Sequence, residues 1–140
     1  MNVLVGVDGS PNSIASLRYA WRIVEPAGGK ITAITAWHMP QGYGDVALPD
    51  WDPSQDAEKI SGEALKEAFD GNVPAAVSAE IVQGPPAQIL IDRSPDVDLV
   101  VVGSRGHGGF TGLLLGSVSS AVAAHAHAPV LVFHDKADKA

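Results

Sequence analysis

The sequence predicts a single α/β domain in which about four helices cover both faces of a five-stranded, doubly wound parallel sheet. The chain has 140 residues, 46% of them hydrophobic and 18% charged, which is typical of one globular domain with a substantial core. Five short segments are apolar and rich in β-branched residues, as are strands buried on both faces of a parallel sheet. Segments with helical spacing of apolar residues separate them, and this alternation favours a parallel sheet.

Strand one is predicted at residues 2–7, NVLVGV, and a helix follows it. Ser10 can cap this helix, and Pro11 suits its first position. Apolar side chains then recur at helical spacing, at Ile14, Leu17, Trp21 and Val24. Of these, Trp21 is expected to lie in the core. The Pro-Gly stretch at residues 26–29 is predicted to end the helix.

Strand two is predicted at residues 31–37, and a long loop separates it from the second helix. Asp52 can cap that helix, with Pro53 at its first position and Gln55 three residues after the cap. The apolar face of this helix is predicted to consist of Ile60, Ala64, Leu65 and Ala68. The stretch GNVP at residues 71–74 ends it.

The rest of the chain predicts three more strands that alternate with two helices. The strands are predicted at residues 76–82, 97–102 and 129–133, and the helices at residues 87–93 and 117–126. A Gly-Pro-Pro turn precedes the first of these helices, a Ser-Pro pair breaks it, and Pro129 closes the second. The charged tail after the fifth strand is expected to fray.

Two loops are suited to hold a ligand. In sheets of this class, ligands lie outside the carboxyl ends of the strands, where the strand order reverses. The turn DGSP at residues 8–11 follows strand one, and a glycine-rich run follows strand four. We predict the strand order 3-2-1-4-5, in which strands one and four are neighbours, so that both loops open onto one crevice.

Six of the chain's 15 glycines fall between Gly103 and Gly116. The run lacks the Gly-Lys-Ser/Thr end of a Walker A loop, and Thr111 stands where a Rossmann fingerprint has its third glycine. Gly116 and Ser117 stand at a predicted helix start, where free N–H groups and the helix dipole favour an anion. Spacing alone leaves a second interpretation open, a flexible loop with an ordinary serine cap.

Other residues of the run are consistent with an anion site. Gly103 and Gly106 would let the backbone approach a ribose or phosphate without a clash from a Cβ atom. Ser117 and Ser119 add hydroxyl donors, and Arg105 is the nearby fixed positive charge.

Three segments in the right order resemble the universal stress protein family. They are LVGVDGS at residues 4–10, the pattern Gly-x2-Gly-x9-Gly-Ser from Gly103 to Ser117, and APVLV at residues 128–132. The match spans essentially the whole chain, so the resemblance implies one nucleotide-binding domain over residues 1–140. It implies the ATP-binding branch of the family, with ATP as the ligand and Mg²⁺ as a candidate companion ion. It also implies a nucleotide-dependent regulator of stress response or signalling that forms a homodimer through the strand at residues 129–133.

The resemblance further implies a nucleotide site drawn from five parts of the chain. Asp8 would lie at the turn after strand one with Gly6 and Gly9, and Ala36 would lie at the adenine. Gly103 would contact the ribose, with Ser104 and Arg105 beside it. The phosphates would be surrounded by Gly106, His107, Gly108 and Gly109 and held at the helix start by Gly116, Ser117, Val118 and Ser119.

Several polar residues have more than one interpretation. Asp8 could contact the ligand, bind Mg²⁺ or act as a base, or it could be a turn residue bonded to its own backbone. His125 and His127 look like a metal-binding pair, but residues two apart on a helix point in different directions. An acidic cluster around Trp51 could hold a metal, or it could be a solvated loop with a helix cap. Its members are Asp45, Asp50 and Asp52.

Composition disfavours several classes of function. A net charge of −7 argues against nucleic acid or an anionic membrane as the main partner. The chain has no cysteine, which excludes a disulfide framework and a zinc–thiolate site. No segment approaches the roughly 18 apolar residues that span a bilayer, and the first residues lack the features of a signal peptide, so a cytoplasmic location is expected.

Efficient catalysis is not expected from these residues. The chain has no P-loop lysine and no clear water-positioning base, whereas phosphoryl transfer depends on positioning and charge neutralisation. We therefore expect ATP binding with at most weak hydrolysis. Two alternatives stay open, a slow ATP hydrolase on the same fold and an interaction protein that binds no nucleotide.

Overall fold

A computed structural model describes residues 1–38, 52–105 and 115–135 of the chain. Within these ranges, five strands alternate with four α-helices. The strands are β1 (Asn2–Gly6), β2 (Lys30–Trp37), β3 (Val77–Gln83), β4 (Leu99–Gly103) and β5 (Val130–Phe133). The helices are α1 (Pro11–Val24), α2 (Pro53–Ala68), α3 (Pro86–Arg93) and α4 (Ser117–His125).

The five strands form one parallel sheet with the order β3-β2-β1-β4-β5. Val5 in the central strand pairs with Ala33 of β2 on one side and with Val101 of β4 on the other. This arrangement confirms the predicted fold class and strand order, including the adjacency of β1 and β4.

The helices cover the sheet in two pairs. Helices α1 and α2 pack on one face around buried residues that include Val5 and Leu17. Helices α3 and α4 pack on the other face around Leu4, Leu90 and Val122. Successive strand residues point to opposite faces, so a strand with apolar cover on both sides is apolar at every position.

The capping residues start the helices where the sequence predicts. The Ser10 hydroxyl oxygen accepts a hydrogen bond from Ser13 N–H at 3.2 Å at the start of α1. The Asp52 carboxylate accepts one from Ser54 N–H at 3.0 Å at the start of α2. A proline occupies the first turn of both helices, where its missing N–H costs nothing.

The buried face of α2 differs from the predicted one. Ile60 is 39% exposed, so its assignment to this face is wrong. The buried residues of the helix are Ala57, Ser61, Ala64, Leu65 and Ala68. Ile60 points about 100° around the helix from Ser61, and the small side chains of the buried stripe let the helix lie close to the sheet.

Trp21 lies at the rim of the core. Its side chain is partly buried and packs against the α1–α2 face of the sheet. Its ring meets Phe69 edge-on, with centroids 6.2 Å apart and planes at 88°. Trp21 therefore packs against the edge of the core and is not buried within it, whereas the sequence predicts that it lies in the core.

The remaining differences in the element boundaries are small. Strand β4 begins two residues later than predicted and ends one residue later, and β3 begins and ends one residue later. The other differences are of one residue: β1 ends at Gly6, β2 begins at Lys30, α3 begins at Pro86, α4 ends at His125 and β5 begins at Val130. Among the described residues, no helix combines the length and the apolar character that crossing a membrane requires.

Candidate functional site

The candidate site lies at the carboxyl ends of β1 and β4, where the order of the sheet reverses. From β1 the chain proceeds to β2 and β3 on one side, and then continues with β4 and β5 on the other. Helix α1 leaves toward one face of the sheet and α4 toward the other. The switch point of the sheet therefore lies between β1 and β4, which is the place where the sequence predicts a ligand crevice.

The turn after β1 is braced by its own side chains. The Asp8 carboxylate accepts a hydrogen bond from Ser10 N–H at 2.9 Å, and Asp8 N–H donates to Ser13 Oγ at 3.3 Å. Gly9 has a φ of 83°, a left-handed conformation that favours glycine. Asp8 thus makes the local backbone contact of a turn residue, and as an exposed residue it is also accessible to a ligand.

Gly6 at the end of β1 contacts helix α3. A Cβ atom on Gly6 would lie 3.0 Å from Leu90 Cδ1 and 3.7 Å from Val102 Cγ1. A larger residue would therefore have to displace the buried Leu90 side chain. This packing contact explains the glycine without any ligand.

Ala36 lies near the end of β2. The hydrogen bonds between β2 and the chain of β1 end two residues earlier, where Val7 N–H, just after β1, donates to the Ile34 carbonyl at 2.8 Å. The Trp37 carbonyl accepts from Gly84 N–H at 2.8 Å and so faces the β3 side. Neighbouring residues of a parallel strand turn their backbones to alternate sides, so the N–H and C=O of Ala36 face the side of β1. At the carboxyl end of β2, the backbone of Ala36 therefore faces β1, whereas the backbone of Trp37 faces β3.

The end of β4 is held against helix α1 by a residue that the sequence interpretation missed. Asn12 is only 6% exposed, and its Oδ1 accepts a hydrogen bond from Arg105 N–H at 3.1 Å. A Cβ atom on Gly103 would collide with the same amide oxygen. A protein contact therefore explains the glycine at position 103. No pattern in the sequence marks Asn12, because an asparagine early in a helix is common.

Ser104 joins β4 to both β5 and α4. Its N–H donates to the Phe133 carbonyl at 2.8 Å. Its own carbonyl accepts from Gly116 N–H at 2.6 Å and from the Ser119 hydroxyl at 3.0 Å. The Gly116 carbonyl lies 3.2 Å from the same Ser119 oxygen, so the two carbonyls share its one hydroxyl proton. The hydroxyl that the sequence suggests as a phosphate donor therefore holds the two elements together.

Helix α4 begins with Gly116 as its N-cap. Gly116 is extended, with φ −76° and ψ 174°, and no side chain caps this helix. The first N–H groups of a helix have no acceptor within it. Among the described residues, the backbone N–H groups of Ser117, Val118 and Ser119 have no acceptor. Ser117 is exposed, Val118 is half-buried and Ser119 is buried.

Part of the predicted site lies outside the described residues. This part comprises Gly106, His107, Gly108 and Gly109, together with Asp45, Asp50 and Trp51 of the predicted acidic cluster. The structure brings the other site residues of β1, β4 and α4 to one end of the sheet and ties them together through Asn12 and Ser104.

The histidines and acids of the described ranges are dispersed. Within these ranges, no three side chains of His, Asp or Glu come close enough to share a metal ion. His125 is the last residue of α4, and His127 lies two residues further along the chain. The backbone N–H of His127 donates to Ser94 Oγ at 2.8 Å. Asp52, the described member of the acidic cluster, is the N-cap of α2.

The described geometry suits a phosphate group. The start of α4 presents three adjacent backbone donors at the positive end of a helix dipole. Asp8 presents an exposed carboxylate, a kind of ligand that Mg²⁺ prefers, at the same end of the sheet. The residues present therefore fit a nucleotide phosphate with an associated magnesium ion.

Known proteins resemble this chain over nearly its full length. Residues 1–134 match the model of the universal stress protein family. Universal stress protein Rv2005c of Mycobacterium tuberculosis is 41% identical over 133 residues, which cover 93% of this chain and 44% of the relative. A universal stress protein solved in complex with cAMP is 27% identical, with a TM-score of 0.72 and coverage of 96% of this chain and 97% of that one. The universal stress protein UspA from Lactobacillus plantarum is 25% identical, with a TM-score of 0.71 and coverage of 95% and 97%.

The curated relatives are longer than this chain, which spans less than half of their length, 44% in the mycobacterial example. The similarity nonetheless extends from β1 to the end of β5. Because the family model matches nearly every residue and the sheet has the same architecture, the chain belongs to the universal stress protein family.

Proposed function

We propose that this domain binds ATP in the crevice between β1 and β4 and acts in the cytoplasm as a nucleotide-dependent regulator of stress response or signalling. The observation that carries the proposal is the start of α4, where Ser117, Val118 and Ser119 present backbone donors beneath a glycine N-cap. Such a helix start binds phosphate through N–H groups and the helix dipole, so it does not need the lysine of a P-loop.

The rest of the crevice suits the other parts of the nucleotide. In the proposed complex the phosphates lie at the start of α4, and the backbone of Ala36 hydrogen-bonds the adenine. Asp8 lies near the ribose and phosphates, where its carboxylate can hold Mg²⁺. When bound, the magnesium ion would neutralise part of the phosphate charge. The glycines at residues 106–109 complete the proposed phosphate loop.

The comparisons support a nucleotide as the class of ligand. The relative solved in complex with cAMP shares the sheet architecture and 27% of its residues with this chain. ATP and cAMP share the adenine and the ribose, so the proposed adenine contact at the Ala36 backbone is compatible with either ligand. The α4 donors favour the ligand with more phosphate charge.

Isothermal titration calorimetry with ATP, ADP, AMP and cAMP tests the proposal. We expect ATP to bind more tightly than AMP, because the additional phosphates reach the α4 donors. Mass spectrometry of the purified protein should find a co-purifying adenine nucleotide. If millimolar ATP produces no binding heat and no nucleotide co-purifies, the domain is an interaction protein that binds no nucleotide.

A slow ATP hydrolase is the second candidate, because the exposed Asp8 carboxylate lies at the same end of the sheet as the phosphate donors. Single-turnover hydrolysis in the parent and in Asp8→Ala separates the two functions. We expect at most slow hydrolysis, because the described crevice lacks the lysine of a P-loop. Turnover of many ATP molecules per minute that is lost in Asp8→Ala would establish an enzyme instead.

The proposal includes a homodimer formed through the strand at residues 129–133. Strand β5 is at the edge of the sheet. The Phe133 carbonyl faces β4, where it accepts from Ser104 N–H at 2.8 Å. By the alternation of a parallel strand, the backbones of Val130 and Val132 face outward. An apolar edge strand whose outward backbone groups have no partner among the described residues is suited to pair with a second copy.

A further inference from the structure

Asn12 joins the two loops of the crevice across 93 residues of sequence. Its Oδ1 accepts a hydrogen bond from Arg105 N–H at 3.1 Å, although Asn12 lies in the first turn of α1 and Arg105 follows β4. Asn12 is 6% exposed, and the hydrogen bond is partly buried. A partly buried hydrogen bond between two elements favours one relative position of the two.

The glycine at position 103 is matched to this asparagine. Gly103 does not have a positive φ, so its backbone conformation does not itself require glycine. The restriction is one of space, because a Cβ atom would collide with Asn12 Oδ1 and lie 3.0 Å from Asn12 Cγ. The amide of Asn12 thus occupies the volume that any other residue at position 103 would need.

The same turn is also tied to the proposed phosphate donors. The carbonyl of Ser104, which lies between Gly103 and Arg105, accepts hydrogen bonds from Gly116 N–H and from the Ser119 hydroxyl. A shift of the turn at residues 103–105 would therefore shift the start of α4. The α1 end of this connection is itself held in place, because Ser10 and Ser13 brace the turn that precedes Asn12.

We infer that Asn12 is a positioning residue that fixes the turn at residues 103–105 against α1 and thereby sets the geometry of the nucleotide crevice. The ligand part of this inference rests on the proposed function. The structural part, the attachment of the turn to α1, stands independently. Asn12 acts through the backbone of Arg105, and no contact between Asn12 and the nucleotide is needed.

Amide hydrogen exchange measured by NMR tests the structural part. In Asn12→Ala we expect the Arg105 amide to exchange at least about fivefold faster than in the parent, because its acceptor is gone. Asn12→Asp keeps an acceptor of the same shape and should restore the protection. The matched control is Ser16→Ala, which removes another buried polar group of α1 that donates to Ser13 O within the helix. Unchanged exchange of Arg105 in Asn12→Ala overturns the inference.

A double-mutant cycle tests the match between Asn12 and Gly103. Gly103→Ala should lower the urea midpoint of unfolding in the parent background and should lower it much less in the Asn12→Ala background, because the colliding amide is absent. Equal effects of Gly103→Ala in both backgrounds would mean that Asn12 does not determine the residue at position 103, which contradicts the inference.

ATP titration tests the ligand part. Asn12→Ala should weaken ATP binding about tenfold, whereas Ser16→Ala should bind like the parent. If Asn12→Ala frees the Arg105 amide but keeps the affinity of the parent, Asn12 does not position the site. If the parent itself binds no ATP, the proposed function fails, and the exchange and cycle measurements still decide whether Asn12 fixes the turn.

Discussion

The backbone N–H of Gly116 donates to the carbonyl of Ser104 at 2.6 Å and so joins the start of α4 to the end of β4. The buried Ser119 hydroxyl donates to the same carbonyl at 3.0 Å. One carbonyl oxygen thus receives two donors and uses both of its lone pairs. This junction sets the position of the first N–H groups of α4, which have no acceptor in the described part of the chain.

Removal of the Ser119 hydroxyl should weaken the junction. We expect Ser119→Ala to lower the free energy of unfolding by about 1 kcal/mol, because a buried donor is lost while Gly116 still bonds to the carbonyl. Urea denaturation measures the change. The control is Ser120→Ala, the exposed neighbour on the same helix. If both variants have the same stability, the Ser119 bonds contribute nothing.

A negative charge at the start of α4 should block the nucleotide. Ser117 is exposed at the first position of the helix, so Ser117→Glu places a carboxylate where the phosphate is proposed to lie. We expect ATP affinity to fall at least about tenfold through charge repulsion and steric block. Calorimetry is the measurement.

Ala124→Glu is the matched control, since it adds the same charge to an exposed position near the other end of α4. It should bind ATP like the parent. A Ser117→Glu protein with the affinity of the parent would show that the helix start is not the phosphate site. Gly116→Glu places the same charge at the N-cap and should also block binding.

The N-cap of α2 should make stability depend on pH. Hydrogen bonds from the Ser54 hydroxyl at 2.6 Å and from the Ser54 backbone at 3.0 Å hold the pKa of the Asp52 carboxyl below its ordinary value. A lowered pKa in the folded state means that the ionised form stabilises the fold. This contribution is complete above the pKa of the unfolded state and is lost as the pH falls through the folded value.

Thermal unfolding of the parent and Asp52→Asn tests this dependence, because asparagine keeps an N-cap acceptor and removes the charge. We expect the parent to have the higher Tm at about pH 7, and we expect the difference to shrink as the pH falls below the ordinary aspartate pKa of about 3.9. A Ser54→Ala background should reduce the difference at neutral pH. A difference that is independent of pH would contradict the role of the charge.

The edge of the sheet should carry the proposed dimer. By the alternation along β5, the N–H of Val132 faces away from β4, and Val132→Pro removes it without breaking a bond to β4. We expect this variant to be monomeric by analytical ultracentrifugation. Val132→Ala is the control for the lost side chain and should remain dimeric. A folded Val132→Pro protein that still dimerises would place the interface elsewhere.

Most of the architecture could be predicted from local signals in the sequence. Apolar segments of strand length and capping residues such as Ser10 and Asp52 located the elements to within one or two residues. These signals are reliable because strand burial and helix capping depend on residues close together in the chain. The described candidate site residues lie at strand ends, on the adjoining turns and at the start of α4, as the sequence indicates.

Other features depend on contacts that no local pattern contains. Ile60 fits a helical stripe by spacing, but small residues near it let another side of α2 approach the sheet. Ser119 looks like a ligand donor by its position, but the Ser104 carbonyl receives its hydroxyl. Hydroxyl groups are as suited to a backbone carbonyl as to a phosphate, so only the fold determines which one is near.

The sequence by itself determined the alternating α/β order, the helix starts and the glycines that allow close approach. Tertiary structure decided what approaches those glycines, which is Asn12 at Gly103 and Leu90 at Gly6. The physical reason is that capping and periodicity involve a few neighbouring residues, whereas these contacts arise only when the sheet brings distant segments within hydrogen-bond or van der Waals distance.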